Sequence, residues 1–161
     1  MISGDIILTR NAEYIGNSSP GYWNHAAISC GSYVVEAQEE PNAVIAVKPN
    51  YFLARYPEYV ILRYPDIQVA YYAAKAGYSL VGTPYRKISS LFFFLRKSQR
   101  GENCVSIVRK AWKVALGRDP RWRIPDDIYR EVGYGRFYQI DHHKDYDNWV
   151  QPKEWFGGRL A

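Results

Sequence analysis

"HAAISCGSYVVEA", residues 25 to 37, holds two short runs of apolar and β-branched residues separated by Gly31 and Ser32. Such a pattern reads as a hairpin, because strand-forming side chains flank a glycine that can take the positive φ of a tight corner. Side chains alternate along a strand, so His25, Ala27 and Ser29 share one face while Ala26, Ile28 and Cys30 share the other. The turn then sets Glu36 on the strand next to His25. An imidazole and a carboxylate come together on one sheet.

Reading outward, "GDIILTR" (4–10) is a first strand, and "NAEYIGNSSPGYWN" (11–24) is the loop that joins it to the hairpin. Downstream, "NAVIAVK" (42–48) and "YVILRY" (59–64) are two more strands, and between them "PNYFLARYP" (49–57) allows one or two helical turns closed by Pro57. Four or five strands therefore fall within the first 64 residues. At Asp66 the period changes. Ile67, Ala70, Tyr71, Ala74 and Tyr78 recur at helical spacing, which predicts an amphipathic helix capped by Asp66 and ending near Gly82. "TPYRKISSLFFFLRKSQRGE" (83–102) is a mixed connection. Asn103 is a good N-cap for a second long helix. Cys104, Ile107, Val108, Ala111, Val114 and Ala115 form its apolar stripe as far as Gly117. "IPDDIYREVG" (124–133) is a third, short helix with Pro125 near its start, and residues 134–161 read as irregular and aromatic. Strands first and helices after make an α+β fold, and 161 residues suit a single domain spanning 1–161.

Composition narrows the function classes. There is no basic, apolar leader, and the longest apolar cluster, "SSLFFFLRK", is too short to span a bilayer, so a soluble, cytoplasmic protein is expected. Two cysteines are too few for a disulfide scaffold, and no Cys or His pair has metal-ligand spacing; free thiols, no metal and no cofactor are expected. A net charge of +5 suits nucleic acid, anionic lipid or an acidic wall polymer equally. The basic residues are scattered and no nucleic-acid motif accompanies them, so no nucleic-acid partner is expected. Membrane contact and oligomeric state stay open. Fifteen tyrosines and five tryptophans suit a binding cleft as well as ordinary packing.

Cys104 stands in the first turn of its helix, where unpaired N–H groups and the helix dipole favour a thiolate. The competing reading is a small core residue, since free cysteine is among the most buried residue types. A basic partner decides between them. His25 is one candidate. His142 and His143 lie in "DHHKDYD", a polar stretch that reads as a solvated loop.

"GTPY" (82–85) followed by "NCVSIV" (103–108) resembles the "G-x-P-Y … D-C-S-G-L-V" core of the NlpC superfamily of papain-like cysteine hydrolases, with Asn103 in place of the Asp and Ser106 where glycine is usual. "GDIIL", "NHAAIS" and "VVEA" are similar to that superfamily's strand motifs. Here the His strand precedes the cysteine, which resembles the circularly permuted, YiiX/YaeF-like branch. The resemblance covers residues 4–37 and 82–112 and says little about 134–161. It implies a permuted papain-like fold with a small antiparallel sheet or partial barrel packed against helices. It also implies Cys104 as nucleophile, His25 as general base, Glu36 as the group that orients the histidine, and Tyr85 in the cleft. Trp23 is a further candidate for the cleft wall. The implied activity is a cysteine peptidase or amidase that cleaves an amide in a cell-wall peptide or related amino-acid amide. Two rivals remain. One is an acyltransferase or thioesterase of the lecithin:retinol acyltransferase-like type, suggested by "LFFFL" upstream of Cys104. The other is a non-catalytic binding module.

Overall fold

A computed structural model describes residues 1–11, 21–85 and 103–148. The "LFFFL" cluster and most of the connection that holds it lie outside the described residues, as do 12–20 of the first loop and 149–161 of the tail. Within the described residues six strands form one antiparallel sheet: β1 (Ile6–Arg10), β2 (His25–Cys30), β3 (Tyr33–Gln38), β4 (Ala43–Val47), β5 (Glu58–Arg63) and β6 (Tyr138–Lys144). Their order across the sheet is β4-β3-β2-β1-β5-β6. The β2–β3 hairpin turns through Gly31 and Ser32, with Gly31 at φ +71°, a conformation a side chain resists. Among the described residues four helices pack on this open sheet: α1 (Pro49–Leu53), α2 (Ile67–Tyr78), α3 (Cys104–Leu116) and α4 (Pro125–Gly133). The fold is the α+β arrangement expected.

Strand alternation divides the interior. Ile6, Leu8, Ala26, Ile28, Val60 and Leu62 face α2, α3 and α4 and join Val108, Ala111, Trp112 and Ile128 in the main core. Ile7, Ala27, Val34 and Ile61 face the other way and pack with Phe52 of α1 in a smaller cluster. Each fully buried aliphatic side chain contributes on the order of 1.5–3 kcal/mol, so both faces hold the sheet in place.

The helices begin where expected, but their buried faces are rotated from the expected stripes. Asp66 caps α2 by accepting hydrogen bonds from the Gln68 and Val69 amides at 2.9 and 3.2 Å. Its buried line is Ala70, Ala73, Ala74 and Gly77, whereas Ile67, Tyr71 and Tyr78 are exposed. Small residues win because α2 presses close to its neighbours: a Cβ on Gly77 would lie 3.0 Å from Ile28 and 3.5 Å from Ala111. Helix α2 ends at Tyr78, a turn earlier than Gly82. In α3 the buried residues are Val105, Ile107, Val108, Ala111 and Trp112, with Val114 69% exposed and Cys104 half-buried at the margin of the stripe.

Strand β6 replaces part of the irregular tail expected after residue 134. It pairs with β5 across a bulge at Ile61/Leu62 and exposes nearly every side chain, so no apolar alternation announces it. The solvated-loop reading of His142 and His143 is corrected with it. His142 Nε2 lies 3.3 Å from Glu58, and His143 stacks on Tyr59 with ring centroids 5.1 Å apart. Backbone pairing at a sheet edge, rather than burial, holds this segment. No helix among the described residues is long and apolar enough to cross a membrane.

Candidate active site

The head of α3 is built by the two residues that depart from the resembled motif. Asn103 Oδ1 accepts from the Ser106 amide at 2.8 Å, and Ser106 Oγ accepts from the Asn103 amide at 2.7 Å. This reciprocal capping box satisfies amides at the helix start, and each of the two unusual residues accounts for the other. Cys104 follows the cap directly, at the positive end of a 13-residue helix.

The partner strand is β2. Its register with β3 runs only from Ile28 to Cys30, whereas its register with β1 reaches back to His25. Beside this part of β2 the thiol meets the sheet. The Cys104 sulfur is in electrostatic contact with His25 and with the backbone at Ala26 and Val105. The structure thus brings together Cys104 from α3, His25 from β2 and Glu36 from β3.

His25 is held on several sides. Its Nε2 is 3.0 Å from Glu36 Oε2, so the ring's other nitrogen is the one left to face the thiol. The ring of Tyr56 stacks against it at 5.8 Å and 21°, and Phe52 lies behind at 6.3 Å and 29°. Glu36 is 0% exposed. Its Oε2 also accepts from Gln38 Nε2 at 2.6 Å, and its Oε1 accepts from Arg55 Nη2. Removing one member of a buried ion pair such as Glu36–Arg55 typically costs about 3–5 kcal/mol, because the other charge is left uncompensated.

The charge states follow from this geometry. Burial alone would push the His25 pKa down, but hydrogen bonds and charge from Cys104 and Glu36 override it and raise the pKa to about 9. For Cys104, burial works against the thiolate. The hydrogen bond and charge of His25, then the backbone donors, outweigh it and hold the thiol below its ordinary value. Burial likewise opposes the Glu36 carboxylate, and His25 and Arg55 keep it ionised. Cys30 is the contrast: burial pushes it up to about 12, and its Sγ lies 3.2 Å from the Ala74 carbonyl. Both cysteines are free thiols.

Tyr85 is half-buried beside this centre, its amide bonded to the Asn42 carbonyl at 3.0 Å. Burial and then the charge of Cys104 raise its hydroxyl to about 12. Trp23 is placed differently. It is 3% exposed in the main core, with Tyr22, Tyr129 and His142 around its ring, and offers little surface to a substrate. Sequence reasoning missed Arg55 and Tyr56. The one available signal for Arg55 was a lone cation inside the aromatic run "YFLARYP".

No protein-family model matches the chain, and no curated protein matches it. A solved structure is similar: the metalloprotein YiiX from Escherichia coli O157:H7, at 15% sequence identity and a TM-score of 0.60, over 89% of this chain and 98% of that one. Among the described residues no group of three or more His, Cys, Asp or Glu is placed to hold a metal ion. The oxygens of Glu36 are already engaged by Arg55, Gln38 and His25. At that identity the likeness speaks for architecture alone: this chain shares its α+β fold with YiiX, a member of the YiiX/YaeF family.

Proposed function

We propose that this chain is a cysteine hydrolase of the permuted, papain-like NlpC type, cleaving an amide bond through a thioester. The observation that carries the reading is a thiol at the start of a helix, Cys104, electrostatically coupled to the imidazole of His25, which is hydrogen-bonded in turn to the buried Glu36. In it, the Cys104 thiolate attacks the amide carbon and the carbonyl π electrons move to oxygen. The backbone donors around the sulfur and the positive end of α3 stabilise that oxyanion. The His25 imidazolium gives its proton to the leaving nitrogen as the C–N bond breaks, which leaves an acyl-Cys104 thioester and a free amine. Neutral His25 then takes a proton from water, the hydroxide adds to the thioester, and collapse returns the carboxylic acid and the thiolate–imidazolium pair. Glu36 holds the ring orientation throughout and stabilises the imidazolium.

The substrate class proposed is a short peptide or amino-acid amide, cell-wall peptides included. The test is turnover of a panel of muropeptide-like amides beside acyl thioesters and phospholipids. Amide cleavage alone is expected. Acyl transfer without any amide cleavage would move the assignment to the acyltransferase class, and binding without turnover of any member would leave a binding module.

A further inference from the structure

We propose that Arg55 is a positioning residue of this site: its buried guanidinium keeps Glu36 a carboxylate and, through Glu36, holds His25 charged and aligned against Cys104. The inference rests on the cysteine-hydrolase reading and adds a fourth member to its line. A carboxyl group with no exposure prefers its neutral form, and a neutral acid neither stabilises an imidazolium nor fixes the ring's tautomer. Among the described residues the groups that face Glu36 are His25 from β2, Gln38 from its own strand, and Arg55 with Tyr56 from the turn after α1. Cys104 from α3 lies beyond the imidazole. Of these, only His25 and Arg55 can carry positive charge, and the imidazolium is matched by the thiolate it faces. That leaves Arg55 as the permanent cation for Glu36. Its place is set by its surroundings: it is 5% exposed, with the rings of Phe52, Tyr56 and Tyr51 at 5.1, 5.6 and 5.7 Å from its guanidinium carbon. The short α1 segment therefore supplies both the aromatic wall behind His25 and the charge behind Glu36.

The effect is readable without a substrate, as the rate at which iodoacetamide alkylates Cys104 of the full chain between pH 5 and 10, followed by mass spectrometry. Cys30 serves as the internal control. For Arg55→Met we expect the rate at pH 6 to fall at least about tenfold and the midpoint to move up by about one unit or more, with native circular dichroism retained. Arg55→Lys restores a permanent charge and should bring the midpoint back to within about half a unit of wild type. Because Arg55 acts through Glu36, Glu36→Gln and Glu36→Gln/Arg55→Met should share one profile. An Arg55→Met profile that overlays wild type, or additive losses in the double variant, overturns the proposal. If Arg55→Met does not fold, Arg55→Lys decides: a folded Lys variant whose Cys104 reacts no faster than Cys30 overturns it, and one that keeps the wild-type midpoint supports it. A wild-type Cys104 that is itself no faster than Cys30 below pH 8 instead sinks the hydrolase reading on which the inference rests.

Discussion

The described residues hold two histidine–glutamate pairs, and they are similar until their surroundings are compared. His25 meets Glu36 at 3.0 Å, and His142 meets Glu58 at 3.3 Å, each through Nε2 and each to a buried carboxylate. At the first pair the remaining ring nitrogen faces a thiol at a helix start, and the carboxylate is backed by an arginine. At the second, the carboxylate accepts from two neutral hydroxyls, Tyr22 at 2.6 Å and Tyr146 at 2.8 Å, and the imidazole is 41% exposed. Glu58 is kept ionised against burial by those three hydrogen bonds, which tie the segment before β2 and the end of β6 to β5. A histidine on a carboxylate is therefore no site by itself. The thiol beyond the ring and the cation behind the acid set the first pair apart from the second.

The largest expected effect falls on the first pair. Cys104→Ala and His25→Ala should each reduce amide hydrolysis by about a thousandfold or more, because nucleophile and base act as a unit. Cys104 is half-buried at the edge of its helix stripe, so its alanine variant should melt within a few degrees of wild type. A variant that melts far lower yet still turns over substrate would make Cys104 a packing residue. His25→Ala should also raise the midpoint of thiol alkylation, since the thiol loses its main stabilising partner.

Next in size is Glu58→Gln. The amide keeps the shape but loses the charge that accepts from Tyr22, Tyr146 and His142. A loss of about 1–3 kcal/mol in unfolding free energy is expected from charge-assisted hydrogen bonds of this kind, with Cys104 reactivity unchanged. Chemical denaturation together with alkylation tests both halves. A fall in thiol reactivity without loss of stability would show that the two pairs are coupled.

Much of this contrast was legible from residues alone and part was not. Five strands follow from apolar alternation, and the starts of α2 and α3 follow from Asp66 and Asn103, because both signals are local. Strand parity put His25 and Glu36 on one sheet and helix position singled out Cys104, whereas their roles as nucleophile, base and orienting acid came from the resemblance to the NlpC superfamily. The helix stripes came out rotated because Ala70, Ala73 and Gly77 look weakly apolar in sequence, yet they bury best where backbones approach closely. Strand β6 was hidden by its polarity: an edge strand with exposed side chains needs only backbone partners. Arg55 was hidden because its partner lies 19 residues away and only the folded turn after α1 joins them.

The pH dependence of stability is a finer test of the ion pair. A raised His25 pKa stabilises the fold below 6.5 and loses that contribution as pH rises through about 9. A lowered Cys104 pKa does the opposite: its contribution is full above 9.0 and is lost as pH falls through the folded-state value. Where the pH lies below 9.0 but above both 6.5 and the lowered folded-state value of Cys104, the folded pair and the unfolded chain each hold one proton, on nitrogen in the first and on sulfur in the second. The two slopes cancel there. Calorimetry should find a nearly level Tm across that window and a fall under pH 4.5 as Glu36 and Glu58 take up protons. A Tm that drops steadily from pH 6.5 to 9 would mean a charged imidazole beside a protonated thiol.

The smallest effect is expected from the paired change His142→Ala/His143→Ala, and it is the sharpest test of chain order. In the unpermuted order the base follows the nucleophile, and these two histidines are the only ones after Cys104. Their positions argue against that role. His142 is directed to Glu58, which keeps its two tyrosine donors without it, and His143 lies against Tyr59 on the outermost strand. The double variant should keep amide hydrolysis and the alkylation profile of Cys104 within about twofold of wild type. Its Tm should fall by a few degrees at most, since edge-strand side chains this exposed bury little. Loss of hydrolysis in this variant, alongside an active His25→Ala, would transfer the base to the second pair and overturn the permuted reading.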